Sequence, residues 1–402
     1  MNKHQVHILG SKLDLFTREE VFALLRQHVI ERKQTHVITL NPEICLYALR
    51  DEGYQKFLNR SDLTVADGVG LRFAAFILGI KQPKRVTGRT VIDMLCRIAV
   101  EEGKSIYLLG AGEGVAKQTA TALQSRYASL RIAGAEAGPA PDAFVMKDEA
   151  LLKRIQASGA DIVLVAFGAP KQEQWIAANR GDLSNVSIFV GVGGLFDYEA
   201  GAVPRPPLFV QKAGLEWLYR LLTQPRRFTR IWRATVVFLT MAFLWKLRIL
   251  FRFRQNVVAM IVDADRSRVL VASPWWSEDI RWQFPQGGVD RTETAKDAVF
   301  REMREELGTD DFKVLAHLPR AHQYVWPRWY RFVKGYKGQI QDLFILSFTG
   351  KDEQFQLGKT NELTRWQWVP IEKVLEILAP SRRVIGTLAL EAFRALSGKQ
   401  TR

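Results

Sequence analysis

Cysteine is almost missing from this sequence: Cys45 and Cys96 are the only two among 402 residues. That excludes a disulfide framework and fits a reducing compartment, with both thiols expected as small core residues rather than nucleophiles. The amino-terminal MNKHQVHILGSKLDLF has no long apolar h-region, so nothing in it predicts export. No run of about 20 uncharged apolar residues occurs, so a transmembrane helix is not expected. Internal repeats and low-complexity linkers are lacking as well. Hydrophobic residues at 47% and charged residues at 25% exclude extended disorder, and the length is too great for one ordinary core, which predicts two domains or three.

Acidic residues are scarce in one place above all. Between residues 204 and 254, eleven Lys and Arg accompany a single acid, Glu216, so this stretch carries +10 of the net +15. A field that concentrated seeks an anionic partner: phospholipid head groups, a diphosphate or nucleic acid. The same stretch mixes Trp, Leu and Phe with arginine at helical spacing, around an uncharged run at residues 234–245 flanked by Arg233 and Lys246. That run is short for spanning and predicts a basic amphipathic helix lying in a membrane interface.

Upstream of it, residues 1–203 alternate short apolar runs with helical patterns. THVITL, SDLTVADG, SIYLLGAG, DIVLVAFG and VSIFVGVGG read as buried strands, and VIDMLCRIAVEEG and VAKQTATALQSRYA as helices between them. This alternation predicts a Rossmann-like parallel sheet covered by helices on both faces, with ligands at the carboxyl ends of its strands. Residues 255–402 differ in texture. A hairpin at NVVAMIVDADRSRVLVAS is followed by a Trp-rich loop, a charged helix, strands around DLFILSFTG and RWQWVP, and a final helix.

The sharpest motif is GGVDRTETAKDAVFREMREELG. On a helix, Glu302, Glu305 and Glu306 stand at i, i+3 and i+4, so their carboxylates share a face and favour a hard divalent cation, with Mg²⁺ expected. Glu293 is spaced to pair with Arg301 and to brace the loop against the helix. The full spacing resembles the Nudix box, with Thr309 where an aliphatic residue is usual. The resemblance spans roughly residues 255–400 and implies an α/β/α sandwich. RWQFPQGGVD, YRFVKGYKGQIQDLFILSF and NELTRWQWVP resemble the branch that hydrolyses dinucleoside polyphosphates and trims RNA 5′ ends. It implies Glu302, Glu305, Glu306 and a further loop residue, Glu362, as metal ligands, with Glu305 or Glu362 acting on the attacking water. It also implies Tyr330, Lys334 and Lys337 as contacts to the phosphates of a nucleotide substrate.

In the first half, four clusters each follow an expected strand: TLNPE with Thr39 and Asn41; ADGVG with Asp67, then RVTG with Arg85; GAGEG with Gly110 and Gly112; and FGAPKQEQW with Gln172, then GVGGLFDYEAG. A Gly-rich turn opening a helix offers N–H groups to a diphosphate. An Asp at a strand's carboxyl end suits a general base or, alone, a turn cap. Together these motifs and GLEWLYRLLTQPRRFTR resemble the WecG/TagA/CpsF glycosyltransferases over roughly residues 5–233. That resemblance implies transfer of an N-acetylmannosamine-type sugar from a UDP-sugar to an undecaprenyl diphosphate-linked acceptor, without a metal, by a peripheral enzyme on the cytoplasmic face of the inner membrane. It implies Asp67 as base, and Thr39, Asn41, Arg85 and Gln172 in the pocket. Arg220, Arg227 and Arg230 match the family's appendage arginines, which contact diphosphate; guanidinium groups suit that partner. Where many members have an acid two residues after the Gly of RVTG, Thr90 stands here. A homo-oligomer is compatible with this reading. The alternative is an RNA 5′-end processor whose basic segment binds nucleic acid. Long apolar runs within that segment favour lipid over it.

Overall fold

The computed structural model describes residues 5–138, 145–201, 228–274, 281–290, 292–357 and 363–399. Contacts group into two units, residues 1–247 with 332–335, and residues 248–331 with 336–402.

The first unit opens with a hairpin of β1 (Gln5–Ile8) and β2 (Ser11–Asp14). Six further strands form one sheet: β3 (Thr35–Leu40), β4 (Leu63–Ala66), β5 (Ser105–Gly110), β6 (Arg131–Glu136), β7 (Ile162–Ala166) and β8 (Ile188–Gly191). Their order is β4-β3-β8-β7-β5-β6, and every pairing is parallel. The strands are buried on both sides because alternate residues serve two cores. Val37, Val65, Ile106, Leu164 and Val190 pack with the helices Arg18–Ile30, Gly88–Glu101 and Val115–Arg126. Tyr107, Leu109, Val163, Val165 and Phe189 pack with the helices Glu149–Ala157 and Lys171–Asn179 on the other face. A parallel sheet covered in this way reads as continuous apolar runs rather than alternation, which is how THVITL and DIVLVAFG read.

The second unit holds a mixed sheet of β9 (Phe253–Val262), β10 (Arg268–Pro274), β11 (Gln286–Gly288), β12 (Phe312–Val325), β13 (Gly338–Phe348) and β14 (Leu363–Pro370). Its order is β12-β13-β9-β10-β14, with β11 added to β9; β13 and β9 run parallel and the other pairs antiparallel. Val257, Ala259 and Ile261 face the helix Ala295–Leu307, whereas Val258, Met260 and Val262 face the helix Arg383–Lys399. This is the α/β/α sandwich that the sequence implies.

The expectation of no spanning-length segment is corrected. The helical stretch Arg233–Phe251, 19 residues, is long and apolar enough by length and composition to cross a membrane. It exceeds the uncharged run because Lys and Arg are good helix formers and do not end it. Lys246 also donates to the Leu78 carbonyl at 2.7 Å, which satisfies its amine.

Candidate functional site

Because the six strands of the first unit are parallel, their carboxyl ends share one edge. Five adjacent strands, β4, β3, β8, β7 and β5, carry the motif clusters in the loops that leave that edge. Thr39 is buried at the end of β3 and donates its hydroxyl to the Gly191 carbonyl at the end of β8, 3.2 Å away. Asn41 follows as N-cap of the helix Pro42–Ala48, its Oδ1 accepting from the Glu43 and Ile44 N–H groups at 3.0 and 3.1 Å. Asp67 leaves β4 with its N–H on the Leu40 carbonyl at 2.7 Å. Arg85 lies alongside Ala66 in a parallel bridge, so it and Asp67 are held on neighbouring backbones.

Gly88 joins these pieces. A Cβ placed there would lie 3.6 Å from Asp67 Oδ2, 3.6 Å from Thr39 Cγ2 and 2.7 Å from Leu195 Cδ1. The carboxyl end of β3, the loop after β4 and the helix Leu195–Glu199 that follows β8 therefore converge on one glycine at the start of the helix Gly88–Glu101. Thr87 caps that helix, accepting from the Thr90 N–H at 3.1 Å, and the two threonine hydroxyls lie 2.9 Å apart. Thr90 thus belongs to the helix cap at this junction.

Gln172 is 3% exposed, and its amide is engaged at both ends. Its Nε2 donates to Glu173 at 2.6 Å and its Oε1 accepts the Gly193 N–H at 2.8 Å. It acts as a brace for the glycine turn after β8 rather than as an open pocket wall. At the end of β5, Gly110 has φ +114°, and a Cβ there would lie 2.8 Å from the Ala166 carbonyl carbon. Gly112 is exposed in the turn that leads to the helix Val115–Arg126. A cleft of about 360 Å³ opens beside that turn, lined by Glu113, Gly114, Lys117 and Glu136. Gly110→Ala is expected to cost about 2–4 kcal/mol of stability through left-handed strain plus overlap. Denaturant unfolding of the whole chain measures this directly.

In the second unit, Thr294 caps the helix Ala295–Leu307 in a capping box with Asp297. Arg301 projects from that helix and donates to Glu293 at 2.7 and 3.1 Å, to Glu302 at 2.9 Å, to Glu305 at 3.2 Å and to the Gly288 carbonyl at 2.8 Å. The Glu293–Arg301 brace is the one that the spacing predicts. Glu302 and Glu306 are buried and Glu305 is exposed. Glu306 accepts the Gln286 N–H at 3.3 Å, and a Cβ on Gly287 would overlap the Glu302 carboxyl.

Among the described residues, no three acidic, His or Cys side chains gather as metal ligands. Of the three expected to converge, Glu302 and Glu305 instead share Arg301, whose guanidinium neutralises part of the face, while Glu306 accepts the Gln286 N–H. The donor set itself still fits a hard divalent cation: all oxygen, one helical face, with two carboxylates buried under a strand of glycines.

Tyr330 is packed edge-on between Trp326 and Trp329, at ring separations of 4.9 and 5.2 Å, and burial raises its hydroxyl pKa. Lys337 sits over the Phe253 ring at 5.3 Å, and Lys334 is exposed. Thr309 is buried with its hydroxyl accepting the Asp311 N–H at 3.2 Å, so a polar bond fills the place of an aliphatic contact. Arg220, Arg227 and Glu362 lie outside the described residues; Arg230 falls in the helix Phe228–Trp232.

Residues 6–251 match the glycosyl transferase WecG/TagA/CpsF family. The chain belongs to that family. Relatives named N-acetylglucosaminyldiphosphoundecaprenol N-acetyl-beta-D-mannosaminyltransferase include proteins from two bacteria. The one from Bacillus subtilis (strain 168) is 32% identical over 57% of this chain and 85% of its own length. The one from Staphylococcus aureus (strain NCTC 8325 / PS 47) is 31% identical over 57% and 89%. Residues 252–387 match the NUDIX domain. Among solved structures, the binary complex of the C. elegans Ap4A hydrolase is similar at 19% identity, covering 36% of this chain and 98% of that one, with a TM-score of 0.30.

One feature of the WecG-family unit has no signal in the local sequence. Glu173, only 1% exposed, accepts from Tyr54 at 3.1 Å and from Gln172, with no salt bridge to it among the described residues. The KQE run places Glu173 beside Gln172, but nothing local announces that Tyr54 closes over it from 119 residues away. Burial raises the Glu173 carboxyl above its ordinary value of 4.5, against the hydrogen bonds it accepts. The folded protein therefore keeps this proton where the unfolded chain releases it. Its contribution is fully present below pH 4.5 and is lost as pH rises through the folded value. Glu173→Gln is expected to flatten the fall of Tm with pH above that point, which scanning calorimetry across a pH series reads.

Proposed function

We propose that the WecG-family unit transfers an N-acetylmannosamine-type sugar from a UDP-sugar to a lipid diphosphate-linked acceptor, at an anionic membrane surface on its cytoplasmic side. The convergence on Gly88 of the end of β3, the loop after β4 and the segment after β8 carries this reading, because it sets Asp67 beside Thr39 and Arg85 at the edge where parallel sheets bind ligands. Asp67 accepts the proton of the acceptor hydroxyl as that oxygen attacks the anomeric carbon and UDP leaves. Asn41 offers its amide N–H₂, which donates to nothing else among the described residues. Gln172 holds the glycine turn that Thr39 also grips, and the glycine turn at Gly110 and Gly112 presents backbone N–H groups to the donor diphosphate. Arg220, Arg227 and Arg230 supply guanidinium donors to phosphate oxygens. No metal is needed for this transfer.

The NUDIX unit is read as a second enzyme that hydrolyses a nucleoside diphosphate-linked substrate. Glu302, Glu305 and Glu306, with Glu362, would hold Mg²⁺, which acidifies water and neutralises bridging phosphates when bound. Glu305 or Glu362 orients the water, and Tyr330, Lys334 and Lys337 contact the substrate phosphates. Incubating the full chain with UDP-N-acetylmannosamine and a short-chain lipid diphosphate–GlcNAc tests the transferase reading by mass spectrometry of the lipid. A product heavier by one N-acetylhexosamine supports it; unchanged acceptor with this and other UDP-sugars refutes it.

A further inference from the structure

The helix Gly70–Leu78 begins three residues after Asp67 and has an unusual outer face. Leu71, Ala74 and Leu78 are buried, while Phe73 and Phe76 are 54% and 73% exposed. Two phenylalanines facing solvent on a nine-residue helix are a costly surface for a protein that meets only water. From Gly70 to Lys84 the chain contains no acid, and Arg72, Lys81 and Lys84 are exposed around the pair.

This helix lies beside the apolar stretch Arg233–Phe251 along its length. At its start, a Cβ on Gly70 would lie 3.8 Å from both the Ala234 carbonyl oxygen and Phe238; at its end, the Lys246 amine bonds the Leu78 carbonyl at 2.7 Å. The longer helix in turn shows Phe243 and Leu244 to solvent at 53% and 45%.

We propose that Phe73 and Phe76 insert into an anionic lipid surface beside the helix Arg233–Phe251, so that the bilayer seats the loop carrying Asp67. Aromatic and basic residues on one outer face, without acids, match the head-group and acyl boundary. A second copy of this chain fits less well, since a two-fold contact would set the same cations against each other. The consequence for catalysis rests on the transferase reading, but the lipid contact is testable without it.

Cys45 and Cys96 are both buried, so Phe76→Cys in the full chain provides one accessible thiol for an environment-sensitive fluorophore. Glu101→Cys, on an exposed helix end, serves as the comparison. With phosphatidylcholine vesicles containing phosphatidylglycerol, the label at position 76 is expected to shift blue and to be quenched by a bilayer-embedded spin label, while that at 101 is unchanged. No shift at 76, or no vesicle binding at all, overturns the proposal. A shift that appears with protein concentration in the absence of vesicles assigns the face to a second copy and also overturns it.

The Phe73→Ser, Phe76→Ser variant is then expected to raise KM at least about tenfold for a long-chain acceptor embedded in vesicles, from the apolar area it removes. Its kcat on a water-soluble short-chain acceptor is expected to stay unchanged. An unaltered KM on the embedded acceptor contradicts the seating role. If no acceptor of any length is glycosylated, the transferase reading fails while the fluorescence result stands by itself.

Discussion

Asp67→Asn is expected to lower kcat/KM for sugar transfer by about 10²- to 10⁴-fold, the usual worth of a positioned general base, or about 3–5 kcal/mol of barrier. The substitution keeps size and one carbonyl oxygen, so the position beside Gly88 and Thr39 is preserved and folding should be little affected. What it removes is the lone-pair basicity needed as the acceptor hydroxyl becomes a nucleophile. Donor affinity is expected to be nearly unchanged, because the base acts on the acceptor proton. Initial rates with saturating UDP-sugar, alongside donor binding by calorimetry, separate the two. A variant with wild-type kcat assigns the base elsewhere. Equal loss of donor affinity and kcat makes Asp67 a donor-binding residue instead.

Glu306→Gln is expected to abolish metal-dependent hydrolysis by the NUDIX unit, by at least about 100-fold, while leaving sugar transfer intact. Glu306 is 4% exposed and accepts the Gln286 N–H, and the amide carbonyl retains that bond. The lost quantity is negative charge toward the cation. Removal of divalent metal with EDTA is expected to reproduce the loss in the wild type. Because Arg301 already engages Glu302 and Glu305, the cation must compete with a guanidinium for those two carboxylates. Magnesium titration of nucleotide pyrophosphate hydrolysis reads that competition: Arg301→Lys is expected to move the half-saturating concentration. A Glu306→Gln variant with full Mg²⁺-dependent turnover removes Glu306 from the ligand set.

The central strands were legible because a parallel sheet buried on both faces leaves unbroken apolar runs in the chain. The edge strand β6, Arg131–Glu136, was not, since its residues are only half-covered and Gly134 interrupts the pattern. The strand β12 was hidden for a related reason: register shifts after Val314 and after Leu318, around Pro319, break its alternation against β13. The helix Arg233–Phe251 reads short in the sequence because Lys246 and Arg248 interrupt the uncharged run, and only the fold shows that Lys246 finds a carbonyl.

The site was legible as clusters at strand ends, and topology supplied what spacing lacks: which clusters are neighbours. Chain order puts the GVGG turn far from TLNPE, but β8 pairs with β3, so Gly191 and Thr39 touch. Gln172 read as a pocket residue because its partners, Gly193 and Glu173, become visible only once the glycine turn folds back over it. The Glu trio read as open to a cation because spacing predicts one partner for Arg301, whereas a guanidinium with five donors reaches three carboxylates.

The central claim, two chemically independent enzymes on one chain, is tested most directly by the metal response of both reactions in a single preparation of the full chain. Sugar transfer to a lipid diphosphate–GlcNAc acceptor and hydrolysis of nucleotide pyrophosphates are followed side by side, in EDTA and then in Mg²⁺. The account predicts transfer at equal rates in both conditions and hydrolysis only with Mg²⁺. Transfer that disappears in EDTA, or is absent in both conditions, contradicts it.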